Sequence, residues 1–321
     1  MSGSILQRIV RAGLPALFAL LQASPAAAGA PQRFVVFGDS LSDPGNAFVL
    51  LRDVEVPPFD SLIPVAPYAR GGLHFSNGAT WVEQLSVFDD AIPSAGPALL
   101  HPVLFSNYAV GGARARLRAR PEGPFDLSPQ VGLFERDFGG QAPADALYIV
   151  FVGGNDLRDA LTALAQDPTT SFGIIEAAVT AISANLLALH ASGARSFFVA
   201  NAPDISLVPA VRLLGPAAQG PASFLSATFN SRLEATLREL ESTFGLNIVL
   251  LDVARILNEI VTAPGAFGLT EVEQPCIAVD TKAQPFCANP GTFLFWDGIH
   301  PTVAGHRILA ERARAALNAT P

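Results

Sequence analysis

Ser40 stands in Phe37-Gly38-Asp39-Ser40, directly after an apolar run, and near the far end of the chain Trp296-Asp297-Gly298-Ile299-His300-Pro301 sets a carboxylate three residues before an imidazole. A hydroxyl, an imidazole and a carboxylate are the parts of nucleophilic acyl chemistry: His300 takes the Ser40 proton while Asp297 holds the ring's tautomer and stabilises the imidazolium. An unperturbed histidine pKa of about 6.5 suits that exchange near neutrality. Such chemistry also needs donors for a developing oxyanion. Two segments offer them, Asn107-Tyr108-Ala109-Val110-Gly111-Gly112-Ala113 and Gly153-Gly154-Asn155-Asp156. The Asn155 side-chain amide, a glycine amide and the Ser40 amide can converge on one oxygen. Each segment alone is weak, since Gly-Asp-Ser reads equally well as a turn or a helix N-cap and the glycine pairs as ordinary turns. Their joint presence supplies all four roles an ester hydrolase requires.

These groups are far apart in sequence, so a sheet must gather them. Short apolar runs at 33–37, 103–108, 146–152, 195–200 and 247–251 alternate with helix-patterned stretches at 80–88, 172–190, 223–244, 253–261 and 302–317. That rhythm predicts an α/β fold with a central parallel sheet of about five strands. Ser40 then leaves the carboxyl edge of the first strand, where such folds place their sites. Thr302 is expected to cap the last helix, after Pro301. Pro and Gly gather at 53–72, 93–102, 121–143 and 264–291, which predicts long loops around the site.

The first 30 residues read differently. Arg8 and Arg11 precede an apolar run from Ala12 to Leu21, and Ala28 and Ala30 satisfy the small-x-small rule, the layout of a cleaved signal peptide. The apolar run is too short to span a bilayer. Residues 31–321 then form one domain, secreted or periplasmic, with no stable membrane span and nothing after the last helix that could form a barrel. Loss of two arginines moves the formal net charge from −8 to −10, which argues against nucleic acid as a partner. Cys276 and Cys287 are the only cysteines, and in an exported protein they are expected to form one disulfide in a late loop. The His-poor middle of the chain argues against a metal site. Arg114, Arg116, Arg118 and Arg120 form the one locally basic stretch, expected either as a solvated face or as a contact for anionic lipid head groups.

Taken together, the residues resemble the GDSL, or SGNH, hydrolases, whose marker residues Ser, Gly, Asn and His match Ser40, Gly112, Asn155 and His300, with Asp297 completing the triad. Gly112 is chosen over Gly111 because the family glycine precedes a small residue such as Ala113; the choice stays open by one position. Asp43 and Asn46, the run His74-Phe75-Ser76-Asn77-Gly78-Ala79-Thr80-Trp81, and Asn201-Ala202-Pro203-Asp204 look like the lipase and acylhydrolase branch, phospholipases included. The resemblance implies a flavodoxin-like three-layer sandwich with broad activity on carboxylic esters, without a metal; no cofactor is expected, and transient contact with a lipid surface is a separate expectation. Apolar loop positions Val54, Val56, Phe59, Leu62, Ile63 and Val65 favour a lipid or phospholipid acyl group. A carbohydrate acetyl esterase of the same family, or a silent secreted lipid- or glycan-binding protein, would keep the same residues. An α/β-hydrolase would need Gly-x-Ser-x-Gly around the nucleophile, which Ser40 lacks.

Overall fold

Strands buried on both faces need apolar side chains at successive positions, and β1 (Phe34–Gly38) meets that demand with Phe34, Val35, Val36 and Phe37 fully buried. The computed structural model describes residues 33–51, 74–88, 91, 93–119, 125–277 and 287–319; the expected leader at 1–30, the loop positions from Val54 to Val65 and Arg120 lie outside them. β1 pairs in parallel with β2 (Leu147–Phe151), which pairs with β3 (Ser196–Ala200), which pairs with β4 (Asn247–Leu251). All four lie where the apolar runs predict them.

The expected strand at 103–108 is the exception. Pro102 removes a donor and Val103 takes a left-handed φ of 73°, so pairing starts only beyond them. From there the chain does run along the free edge of β1, through Val36 N to Ser106 O (2.9 Å), Tyr108 N to Val36 O (2.7 Å) and Val110 N to Gly38 O (3.1 Å). Side-chain amides complete the pairing that a regular strand would have made. Asn46 Nδ2 donates to the Asn107 and Ala109 carbonyls, and Asn107 Nδ2 to that of Ser42. With this segment counted, the strand order is that of a flavodoxin-like sheet, and the order reverses between β1 and β2.

Helices α2 (Trp81–Phe88), α8 (Val253–Thr262) and α9 (Val303–Ala319) pack together over one face, and α3 (Leu127–Asp137), α5 (Pro168–Ser192) and α7 (Pro216–Phe244) over the other, giving three layers. The short α1 (Asn46–Leu51) and α6 (Pro209–Arg212), together with α4 (Gly154–Leu164), complete the α-helices among the described residues. α5 is long and apolar enough to cross a membrane by length and composition. Ile175, Ala178, Val179, Ile182, Leu186 and Leu189 form a buried stripe on it, at the spacing of a core-facing helix. α3 falls where sequence pattern predicts a loop, and α4 where it offers no helix. α3 carries Pro129 in its first turn and Gly132 within it, and α4 begins inside the glycine turn itself. In the 264–291 region β5 (Glu271–Pro275) pairs with β6 (Phe293–Phe295), and Cys276 and Cys287 are joined in a disulfide beside Trp296 and Phe293.

Gly38 ends β1 at the reversal point. A Cβ there would come within 2.6 Å of the Phe151 carbonyl oxygen, backbone that cannot step aside. Its amide and carbonyl are both bound by Gln130 of α3, at 2.9 and 2.8 Å. Gly38→Ala therefore forces β1 and β2 apart, at an expected cost of roughly 1–3 kcal/mol. Urea unfolding measures this, and an unchanged midpoint would show that the strands yield more easily than the close contact implies.

Candidate active site

The turn after β6 closes on its own backbone. Asp297 Oδ1 accepts the amides of Ile299 (2.9 Å) and His300 (2.8 Å), which brings the two side chains of the Asp-x-x-His spacing face to face. Asp297 Oδ2 then lies 2.7 Å from His300 Nδ1, and His300 Nε2 lies 2.7 Å from Ser40 Oγ. All three residues are buried. Thr302 caps α9 as expected, accepting the Gly305 amide, while Asn77 Oδ1 takes that of Val303 (2.7 Å) and Ser76 Oγ donates to the Pro301 carbonyl (2.8 Å). The Phe75 ring packs 5.4 Å from the His300 ring. The run from His74 to Trp81 is thus the brace of the histidine turn. A hydroxyl hydrogen-bonded to an imidazole whose other nitrogen meets a carboxylate can pass its proton to the ring as it attacks.

The second group of expected residues lies across the β1–β2 reversal. Asn155, in the first turn of α4, donates from Nδ2 to the Ala113 carbonyl at 2.9 Å, so the two donor-bearing segments are bonded to each other. Between the two glycines the geometry discriminates. The Gly111 amide is taken by Asp43 Oδ2 (2.8 Å), and a Cβ on Gly111 would meet the Phe75 ring at 2.3 Å. Gly112 adopts a φ of 80°, open to glycine at little cost, and among the described residues its amide meets no acceptor; the same holds for the Ser40 amide. Asp43 and Phe75 carry no catalytic signature in sequence. Their roles come from contacts with segments distant along the chain.

The arginine stretch is not a free basic face in its described part. Arg114 forks onto Asp159, Arg116 bridges Asp156 and Asp159, and Arg118 forks onto Asp126. Both expectations for these three arginines, solvated face and lipid contact, give way to internal pairing. Asp156 also accepts the Ala115 amide at 2.7 Å, which ties the glycine loop to α4.

Burial dominates at Asp39, Asp43 and His306. It raises Asp39 to about 7 against the Leu41 amide and the charges of His300 and Arg114, and raises Asp43 to about 6 against four backbone amides. His306, beneath the triad, is pushed down to about 3 by burial and stays neutral; its Nδ1 faces the Trp81 amide. His74 pairs with Glu83.

Ser40, Asn155 and His300 open onto a cavity of about 630 Å³, within the range of small-molecule sites. Its remaining wall is mostly apolar, with Leu161 from α4, Val208 and Val211 at α6, Leu214, Pro221 from α7 and Ile299. A smaller apolar cavity of about 70 Å³ shares Leu41, Pro203, Val208 and Ile299 with it. Among the described residues no cluster of His, Cys, Asp or Glu is arranged to hold a metal ion.

A flavodoxin-like sheet with Ser, Gly and Asn after β1, the edge segment and β2, and His on the turn after β6, defines the SGNH class. The chain belongs to the GDSL-like lipase/acylhydrolase family, whose model matches residues 34–313. It is 30% identical over 318 residues to a Pseudomonas putida protein described as an uncharacterized protein in the trpE-trpG intergenic region, covering 89% of this chain and 48% of the relative. It is 27% identical to the Arabidopsis thaliana GDSL esterase/lipase EXL2, over 87% of this chain and 86% of the relative. The chain spans about half the length of the first two curated relatives it matches. Among solved structures, the extracellular lipase of Streptomyces rimosus aligns at 16% identity and a TM-score of 0.41, over 90% of this chain and 99% of that one.

Proposed function

We propose that the protein hydrolyses carboxylic esters, with Ser40 as nucleophile, His300 as general base and then acid, and Asp297 as the carboxylate that orients it. The observation that carries this reading is the unbroken relay from Asp297 through His300 to Ser40, two contacts of 2.7 Å, at the wall of an apolar cavity. Ser40 Oγ attacks the ester carbon as its proton moves to His300 Nε2. The carbonyl oxygen gains charge and is met by the Ser40 amide, the Gly112 amide and the second hydrogen of Asn155 Nδ2. Collapse of the tetrahedral intermediate expels the alcohol, which takes the proton from His300. Water repeats the sequence on the acyl-enzyme and frees the acid.

The apolar wall favours the acyl chain of a lipid or phospholipid over acetate on a carbohydrate. Each methylene buried in the cavity contributes about 0.8 kcal/mol, so kcat/KM should rise up to about fourfold per added carbon along a series of p-nitrophenyl esters. Phosphatidylcholine belongs in the same profile. A sharp optimum at acetate with no phospholipid turnover overturns the lipid reading, and failure of a fluorophosphonate to label Ser40 overturns the enzyme in favour of a binding protein.

Export is part of the same proposal. The leader pattern at 1–30 supports it, and so does the disulfide, since such bonds persist in oxidising compartments. Transient contact with a lipid surface follows if the substrate is a bilayer lipid.

A further inference from the structure

Two glycines in succession are the least constrained link a chain can have, and here they carry a donor the proposed mechanism needs held still. The amide of Gly111 is bound by Asp43 at 2.8 Å. On the other side of the link, Arg114 Nη1 donates to the Gly112 carbonyl at 2.6 Å. The Gly112 N–H lies between these two anchors. Arg114 is itself fixed, since Nε and Nη2 fork onto the two carboxylate oxygens of Asp159 at 3.0 and 2.9 Å. Asp159 stands one helical turn beyond Asn155 on α4. Arg116 braces the same carboxylate at 2.7 Å. The side chain of Arg114 is only 11% exposed and that of Asp159 24%, so the pair is less screened than a surface ion pair. Burial works to raise the Asp159 pKa, but the bonds from Arg114 and Arg116 outweigh it and hold the carboxyl below its ordinary value.

We propose that Arg114, forked onto Asp159, is a positioning residue: it fixes the peptide after Gly112 and so sets the separation between the Gly112 amide and the Asn155 side chain. Arg114 is absent from the cavity wall, and its hydrogen bond toward the proposed donors is the one to the Gly112 carbonyl. The inference rests on the oxyanion role proposed above for Gly112 and Asn155. A displaced donor weakens binding of the transition state more than binding of the ester, so the effect falls on kcat.

The test compares Arg114→Ala, Arg114→Lys and Asp159→Asn with wild type on p-nitrophenyl butyrate. Arg114→Ala should lower kcat roughly 10- to 100-fold with KM within about twofold. Ethylguanidinium in the buffer should restore part of that kcat, and should restore none to Ser40→Ala. Arg114→Lys should recover little, because one ammonium cannot fork onto Asp159 and reach Gly112 together. Asp159→Asn should lower kcat in the same direction and add less than its own effect when combined with Arg114→Ala. A kcat for Arg114→Ala within about threefold of wild type, or a loss matched in KM and melting temperature with no rescue, overturns the inference. If Arg114→Ala does not fold, the Lys and Asn variants decide by the same kcat criterion. Should Ser40→Ala keep wild-type turnover, the catalytic reading itself falls. Should Ser40→Ala be inactive while the Arg114 and Asp159 variants turn over normally, only the positioning role falls.

Discussion

Ser40→Ala should lower kcat by about 10⁶ while the protein stays folded, because the serine and histidine of such a relay act as one unit and losing either removes both. The hydroxyl is the nucleophile in the proposed reaction, and its proton is the one His300, at 2.7 Å, is placed to take in the first step. His300→Ala should cost about as much, and the double variant scarcely more, since no step is left for the remaining partner to assist. Residual rate above the uncatalysed reaction comes from the oxyanion donors and the cavity. Stability should change by only about 1 kcal/mol, since the substitution deletes one oxygen from a side chain whose observed partner is His300. Turnover of p-nitrophenyl butyrate by purified variants, with circular dichroism melts, measures both quantities. Retention of even one-hundredth of wild-type kcat by Ser40→Ala would move the nucleophile elsewhere.

Asp297→Asn should cost about 10⁴ in kcat with the fold intact, the size of effect seen when the equivalent carboxylate is neutralised in a serine protease of another fold. The argument runs through the two oxygens separately. Oδ1 accepts the Ile299 and His300 amides, and an asparagine carbonyl keeps both bonds, so the turn survives. Oδ2 faces His300 Nδ1, and the asparagine NH2 that replaces it can only donate. Nδ1 must then accept, which moves the ring proton to Nε2, the nitrogen that has to receive the proton of Ser40. The base is present in the wrong tautomer. Asp297→Ala is the informative contrast: it also strands the two amides, so it should lower the melting temperature as well as kcat. If Asp297→Asn were nearly as active as wild type, orientation of His300 by Asp297 would not be part of catalysis.

Much of this site was legible from local pattern. The Asp297-x-x-His300 spacing could close only through a turn, and Asp297 makes that turn with its own backbone neighbours. Strands β1 to β3 are legible because burial on both faces demands unbroken apolar runs, and β4 because its run from Ile248 to Leu251 is apolar although the strand is only partly buried at the sheet edge. The edge segment reads as a strand from Val103 because its residues are apolar, whereas Pro102 and the left-handed Val103 delay its pairing with β1 to Ser106 and beyond. α3 and α4 escape the helical pattern because a proline in the first turn of one and glycines at the start of the other resemble turn signals, yet both are tolerated at a helix N-terminus.

By itself, the amino-acid sequence determined the chemistry on offer: a serine at the carboxyl end of the first strand, an Asp and His poised on one turn, and glycine and asparagine donors after two other apolar runs. Those choices are local, set by spacing, turn chemistry and burial. How the proposed donors are held depends instead on tertiary packing. Arg114, Arg116 and Arg118 look like a basic face because charge is visible in sequence and its partner is not, and Asp126, Asp156 and Asp159 lie up to 45 residues away. Asp43 reaches Gly111 across 68 residues, and Phe75 braces a histidine near the other end of the chain. Pairing over such separations depends on which elements the sheet order makes neighbours, and that order is a property of the whole packed chain.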